Sequence, residues 1–347
     1  MSQKKQTPAI LLSLLITALL AGLWWFSVWW FSQPSKDTQN PSNPASSSSA
    51  LPNQPGVSRF EQVKNVPSGL FNYGGSTTWA PIRLTVDAEL QQVQSNFRLR
   101  YVDPVGSAPG SGTGIKMLLD GQMTFAQSSR PLTDLEYQQA RQRGFTLTQI
   151  PVAIDGIAFV VHPSLNLPGL TLTQLKDIYT GRVTNWQQVG GADLPIVVLS
   201  RDPNSGGTVE LFLEQVLGGQ SFAANVQIMP STTEAVRKLA ATPGGIYFGS
   251  APEVVPQCSV KPIAIGRSAD KLVSPYQGNL ATQCPQQRNQ LNETAFRGGE
   301  YPLTRDLFVV VKQNQGIEQQ AGEAYANFLL SHQGQEGIAK AGFVRIR

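Results

Sequence analysis

Three turns of one style stand just ahead of helical patterns in this 347-residue chain: Gly74-Gly75-Ser76-Thr77-Thr78, Gly110-Ser111-Gly112-Thr113-Gly114 and Asn204-Ser205-Gly206-Gly207-Thr208. Glycine lets the backbone come close to a ligand, the leading N–H groups of a helix have no partner inside it, and the dipole there favours negative charge. Ser and Thr hydroxyls add donors. The chemistry this suits is capture of a dehydrated oxyanion, which needs many donors and little net charge. One such turn is an ordinary helix cap. Three of them, with Arg201 just ahead of the third, form a set, because the planar guanidinium fork matches two oxygens.

Other chemistries fail on the residues. Gly110 to Lys116 has the outline of a P-loop, but Ile115 precedes the lysine and Met117 follows it, so the Gly-Lys-Ser/Thr ending of a nucleotide cradle is missing. No Gly-x-Ser-x-Gly elbow surrounds Ser107 or Ser111, and only His162 and His332 exist to serve as a triad base. Clustered Asp/His metal ligands are absent from the sequence pattern, so neither an enzyme nor a metal or other cofactor is expected. The formal charge of +4 does not imply a nucleic-acid partner, since residues 1–66 hold five of the 27 basic and two of the 23 acidic residues, leaving 22 against 21.

The elements that must position these turns alternate short apolar runs with helical patterns, which predicts an α/β fold. Strands are expected at residues 97–102, 157–161, 196–199, 246–248 and 307–311. Thr171-Leu172-Thr173-Gln174 reads as a capping box opening a helix that Gly181 stops, and Ser231 to Glu234 opens another in the same way. Residues 9–31 form an uncharged apolar run long enough to span a bilayer, which takes ~20 residues; Lys4 and Lys5 keep the amino terminus in the cytoplasm. No cysteine follows for lipid attachment and no small-x-small cleavage site follows Trp25, so an uncleaved anchor is favoured over a removed signal peptide. Residues 32–66, rich in Ser, Pro, Asn and Gln, read as a tether unable to bury a core. The polar, Gln-rich stretch 257–299 reads as a surface excursion carrying Cys258 and Cys284, the chain's two cysteines. In an oxidising compartment these could form a disulfide worth ~3.5 kcal/mol; the alternative is two buried thiols.

From Pro67 onward the chain resembles the phosphate-binding proteins of ABC importers, in the type II periplasmic-binding superfamily. The stretches that carry the likeness are Gly75-Ser76-Thr77-Thr78, Ser111-Gly112-Thr113-Gly114-Ile115-Lys116, Ser128-Ser129-Arg130-Pro131-Leu132, residues 172–191, Arg201 to Thr208 and Pro243-Gly244-Gly245-Ile246. The resemblance implies a two-lobed fold with mixed sheets and a ligand cleft between the lobes, preceded here by the transmembrane helix. It implies lobe I from 67–154 plus 302–347 and lobe II from 155–301, and a monomer on the extracytoplasmic side. The ligand, inorganic phosphate or a similar oxyanion, would be held by Ser76, Thr77, Thr78, Ser111, Gly112, Thr113, Ser129, Ser205, Gly206, Gly207, Thr208 and Arg201, with Arg130 as a second cationic contact. The partners implied are the permease subunits and, through the anchor, the membrane.

Two departures from that family stand out. Ser129 occupies a position where the family commonly carries an aspartate that accepts the proton of hydrogen phosphate and repels sulfate, and Asp202 or Asp134 would have to substitute for it. The loop from Arg201 to Thr208 is one residue longer than the usual spacing. Sulfate binding, which Ser129 suggests, and a membrane-fixed sensor or partner-docking protein that signals by closing on its ligand, which the anchor and tether suggest, are the alternatives.

Overall fold

A computed structural model describes residues 56–203 and 207–347. Alternating apolar runs become thirteen strands: β1 (Gly69–Gly75), β2 (Phe97–Tyr101), β3 (Phe125–Ser128), β4 (Thr146–Val161), β5 (Leu170–Thr171), β6 (Val197–Arg201), β7 (Gln227–Met229), β8 (Gly245–Ser250), β9 (Lys261–Ile263), β10 (Ile265–Gly266), β11 (Leu272–Val273), β12 (Thr304–Gln313) and β13 (Val344–Arg345). Ten of them form one mixed sheet with the path β2-β1-β3-β12-β4-β8-β6-β7, and β5, β10 and β11 form a second. The parallel pairs β1/β2, β1/β3 and β6/β8 lie towards the two ends of the path, whereas β12 and β4 run antiparallel through its middle.

The sixteen-residue β4 and ten-residue β12 are the spine. Their register pairs Arg305 with Asp155 and places Leu307 opposite Ala153. On one side of that crossing a core gathers Trp79, Ile82, Phe97, Phe125, Tyr325 and Phe328; on the other, Phe159, Tyr179, Trp186, Phe212 and Phe248 pack together. Burying each such ring stabilises by about 1.5–3 kcal/mol before entropy is subtracted. Both indoles also satisfy their polar end: Trp79 Nε1 donates to the Ser128 carbonyl at 3.0 Å, and Trp186 Nε1 to that of Gly244 at 2.8 Å. Trp79 thereby ties the Ser76–Thr78 turn to the end of β3.

Helices cover the sheet: α1 (Ser111–Leu119), α2 (Asp134–Gln142), α3 (Leu172–Tyr179), α4 (Gly207–Gln215), α5 (Thr232–Ala240), α6 (Ile317–Leu330) and α7 (His332–Lys340). The expected capping box of α3 is present, with Thr171 Oγ1 accepting from Gln174 N at 3.1 Å and Gln174 Oε1 accepting from Thr171 N at 2.8 Å. At α5 only half of that pattern forms, Ser231 Oγ accepting from Glu234 N at 3.2 Å.

Two stretches carry more structure than their composition suggests. Phe60, within the segment read as tether, is fully buried against Phe328, and the Val57 and Ser58 carbonyls accept from the leading N–H groups of α7. Phe60 and Val63 anchor this polar segment, with Val57 and Val66 packed against the same core. In the segment read as a surface excursion, β9 pairs with β4, Ile263 and Ile265 are buried, and Phe296 stacks on Tyr301 at 4.5 Å. Cys258 and Cys284 are joined in a disulfide with Cα atoms 5.6 Å apart. Among the described residues no helix is long and apolar enough to cross a membrane; the span expected at residues 9–31 lies outside them.

Candidate functional site

Ser76 to Thr78, Ser111, and Gly207 and Thr208 at the start of α4 meet where β1, β3 and β6 end, at the carboxyl edge of parallel strands where α/β sheets commonly bind ligands. Ser76 closes β1 and is fully buried; its Oγ donates to Ser129 Oγ at 2.9 Å. Ser111 opens α1, and its Oγ accepts from Ser129 N at 3.0 Å and lies 3.2 Å from Ser129 Oγ. The three hydroxyls thus form a buried cluster beside the N-terminus of α1, whose Gly114 N–H closes the first turn onto the Gly110 carbonyl. The N–H groups ahead of it have no intrahelical acceptor.

From across the cleft comes the N-terminus of α4. A Cβ on Gly207 would stand 2.5 Å from Ser129 Oγ and 2.9 Å from Arg305 Nη1, so any side chain there would displace one of these buried groups. Thr208 Oγ1 and Thr78 Oγ1 both accept from Arg305 Nη2, at 3.0 and 2.9 Å, which joins the two sides of the cleft through one guanidinium.

Arg305 was not foreseen as a site residue. Its Nε and Nη2 donate to Asp155 Oδ2 at 3.0 and 2.7 Å, and Ser250 Oγ donates to Asp155 Oδ1 at 2.7 Å. The side chains of Arg305 and Asp155 are only 4% and 0% exposed, yet Nη1 is buried without a hydrogen-bond partner. An unmet donor on a buried cation is costly unless a ligand meets it. The sequence did hold a signal: each residue interrupts an apolar run, Ile154-Asp155-Gly156-Ile157 and Leu303-Thr304-Arg305-Asp306-Leu307, with opposite charge.

Next to this cluster a cavity of about 90 Å³ is lined by Thr77, Thr78, Arg201, Thr208, Thr232 and Glu253, among others. Arg201 ends β6, and its Nε is buried without a partner. Glu253 opens onto the cleft, where burial by the surrounding protein raises its pKa against the lowering effect of the Thr232 hydrogen bond; Asp155 adds to the rise, and Arg201 and Arg305 oppose it.

Other expected contacts are placed elsewhere. Arg130 grips Glu136 through both terminal nitrogens, at 3.0 and 2.8 Å, so its fork is occupied rather than offered to a ligand. Thr113 turns its hydroxyl to the Ala108 carbonyl, and Gly112 lies against Arg130. Asp134 is exposed at the start of α2. Ser205 and Gly206 lie outside the described residues. Both histidines sit at the surface, His162 against Ser164 and His332 against Glu336. Among the described residues no group of three His, Cys, Asp or Glu is placed to hold a metal ion.

A mixed-sheet α/β body with two long antiparallel strands at its middle and two helix N-termini at one cleft has the architecture of a two-lobed periplasmic-binding-protein fold. The family model for the PBP superfamily domain matches residues 42–333, and the chain belongs to that family. It is 27% identical over 305 residues to the phosphate-binding protein PstS of Pseudomonas aeruginosa, covering 84% of this chain and 87% of that one. It is 27% identical over 290 residues to Protein SphX of Synechococcus elongatus, covering 82% and 79%. Among solved structures, a substrate-binding protein from Clostridium perfringens, assigned to phosphate ABC transport and holding bound phosphate, matches with a TM-score of 0.61 at 25% identity, covering 80% of this chain and 100% of that one.

Proposed function

We propose that the protein captures inorganic phosphate outside the cytoplasmic membrane, to which residues 9–31 anchor it, and delivers it to an ABC permease. The observation that carries this reading is the pair of buried, unmet guanidinium donors, Arg305 Nη1 and Arg201 Nε, at a cleft furnished with hydroxyls and two helix N-termini. A tetrahedral oxyanion satisfies donors arriving from several directions at once, where a planar carboxylate leaves some unmet. The phosphate named for its relatives in Pseudomonas aeruginosa and Clostridium perfringens supports the choice of anion. Of the residues first expected at the ligand, Ser76, Thr77, Thr78, Ser111, Ser129, Arg201, Gly207 and Thr208 remain in the proposed site, and Arg305 joins them. A micromolar dissociation constant corresponds to about 8 kcal/mol, which a few charge-assisted hydrogen bonds supply. Calorimetric titration of the full-length protein, purified in detergent and freed of anions, is expected to give one phosphate per chain at micromolar affinity or better. No heat of binding up to millimolar phosphate would reject the reading.

A further inference from the structure

A site built only of donors does not tell hydrogen phosphate from sulfate. Both are tetrahedral dianions of similar size, and the difference is the one proton that phosphate keeps at neutral pH. Reading that proton takes an acceptor that cannot donate, and an ionised carboxylate adds a charge that repels an anion with no proton to offer. Ser129 does not fill that role, for its hydroxyl is tied to Ser76 and Ser111 and carries no charge. Asp155 is also used up, Oδ2 by Arg305 and Oδ1 by Ser250.

One carboxylate among the described residues does line the cavity that holds Arg201, Thr78 and Thr208, namely Glu253. It stands on the short helical turn Ala251–Val254, directly after β8. Its Oε2 accepts from Thr232 Oγ1 at 3.1 Å, which orients the group, while Oε1 accepts nothing from the described residues. We infer that Glu253 is the specificity-determining acceptor of this site: Oε1 takes the hydrogen bond of the hydrogen phosphate O–H, and its charge repels an anion with no proton to offer. This rests on the phosphate reading above and assigns a role that the loss of an aspartate at position 129 leaves open.

The charged and titratable groups facing Glu253 are Arg201, Asp155 and Arg305, with Tyr247 behind Thr232. Burial shifts its protonation to higher pH than a free glutamate shows, and a protonated Glu253 is a donor that suits sulfate. Sulfate keeps one ionic form through that range, so its pH profile reports the protein alone.

The test is titration of the full-length protein and Glu253→Gln with phosphate and with sulfate from acidic to neutral pH. The wild type is expected to prefer phosphate by about 100-fold or more at neutral pH, as one charge-assisted bond gained and one repulsion imply. Glu253→Gln should bring the two anions to within about tenfold, chiefly by tightening sulfate. Wild-type sulfate affinity should rise as pH falls, and that slope should vanish in the variant. Sulfate binding to Glu253→Gln as weak as to wild type, or a wild type indifferent to the two anions, would overturn the inference while leaving phosphate capture standing. Failure of the wild type to bind phosphate would instead take down the functional reading and this inference with it. Should the variant not fold, a pH-independent sulfate affinity in the wild type is the overturning result.

Discussion

Arg201 and Arg305 are both cations with an unmet buried donor, but their surroundings separate what their loss should do. Arg305 is half of a buried ion pair with Asp155, and removing one member leaves the other charge stranded, at about 3–5 kcal/mol. Arg305→Ala should therefore lower the free energy of urea unfolding by that amount as well as abolish binding. Arg201 forms no ion pair among the described residues, so Arg201→Ala should lose about 2–5 kcal/mol of phosphate affinity with its unfolding midpoint little changed. Equal unfolding curves for Arg305→Ala and wild type, or intact affinity in Arg201→Ala, would show that the guanidinium concerned is misassigned. Arg201 was legible in the sequence because it precedes a Gly/Ser/Thr turn. Arg305 shows in the sequence only as a charge among apolar neighbours; its pairing is not legible, because Asp155 lies 150 residues away and only the β12/β4 register brings them together. Arg130 misled for the converse reason: its neighbour Glu136 is close in sequence, but nothing in the spacing says that both terminal guanidinium nitrogens are committed to it.

The elements were more readable than the contacts between them. Local signals such as the Thr171–Gln174 capping box and the apolar runs that became β6, β8 and β12 act within a few residues, so the sequence displays them directly. Buried polar contacts between elements leave no such trace. Behind the Ser76 turn, Asp87 accepts from Tyr73 Oη at 2.6 Å and from Tyr325 Oη at 2.8 Å, and Tyr325 Oη accepts from Gln127 Nε2 at 2.9 Å. Gln127 Oε1 in turn accepts from Arg83 at 2.9 Å, which fastens β1, β3, α6 and the helical segment 80–93 together. Burial pushes the Asp87 carboxyl up to about 6, against the pull of its two tyrosine partners. A carboxyl raised in the folded state binds its proton more tightly there than in the unfolded chain, so stability falls as pH rises from about 4 to about 6. The contribution is on the order of 3 kcal/mol at most. Asp87→Asn should flatten unfolding free energy measured against pH in that window; a wild-type profile that rises through it would contradict the assignment.

At the scale of the molecule, the Cys258–Cys284 bridge closes a loop across a sequence separation of 26 in a segment rich in polar residues. Its removal by paired Cys→Ser substitution should cost about 3.5 kcal/mol in the chain-entropy account, read as a lower unfolding midpoint with phosphate affinity preserved. An unchanged midpoint would mean that the packing of Phe296, Tyr301 and β9 already holds the segment in place. The cleft itself is assembled from the whole chain, with β1, α1 and β3 supplying hydroxyls, β6 and α4 a cation and a helix N-terminus, and the β4/β12 crossing the buried ion pair beneath them. The measurement that tests this assembly most directly is a crystal structure grown with phosphate. The predicted result is a tetrahedral anion bonded at about 2.7–2.9 Å to Arg305 Nη1 and Arg201 Nε, with the N-termini of α1 and α4 turned towards it. Phosphate density away from both arginines, or none in phosphate-saturated crystals, would contradict it.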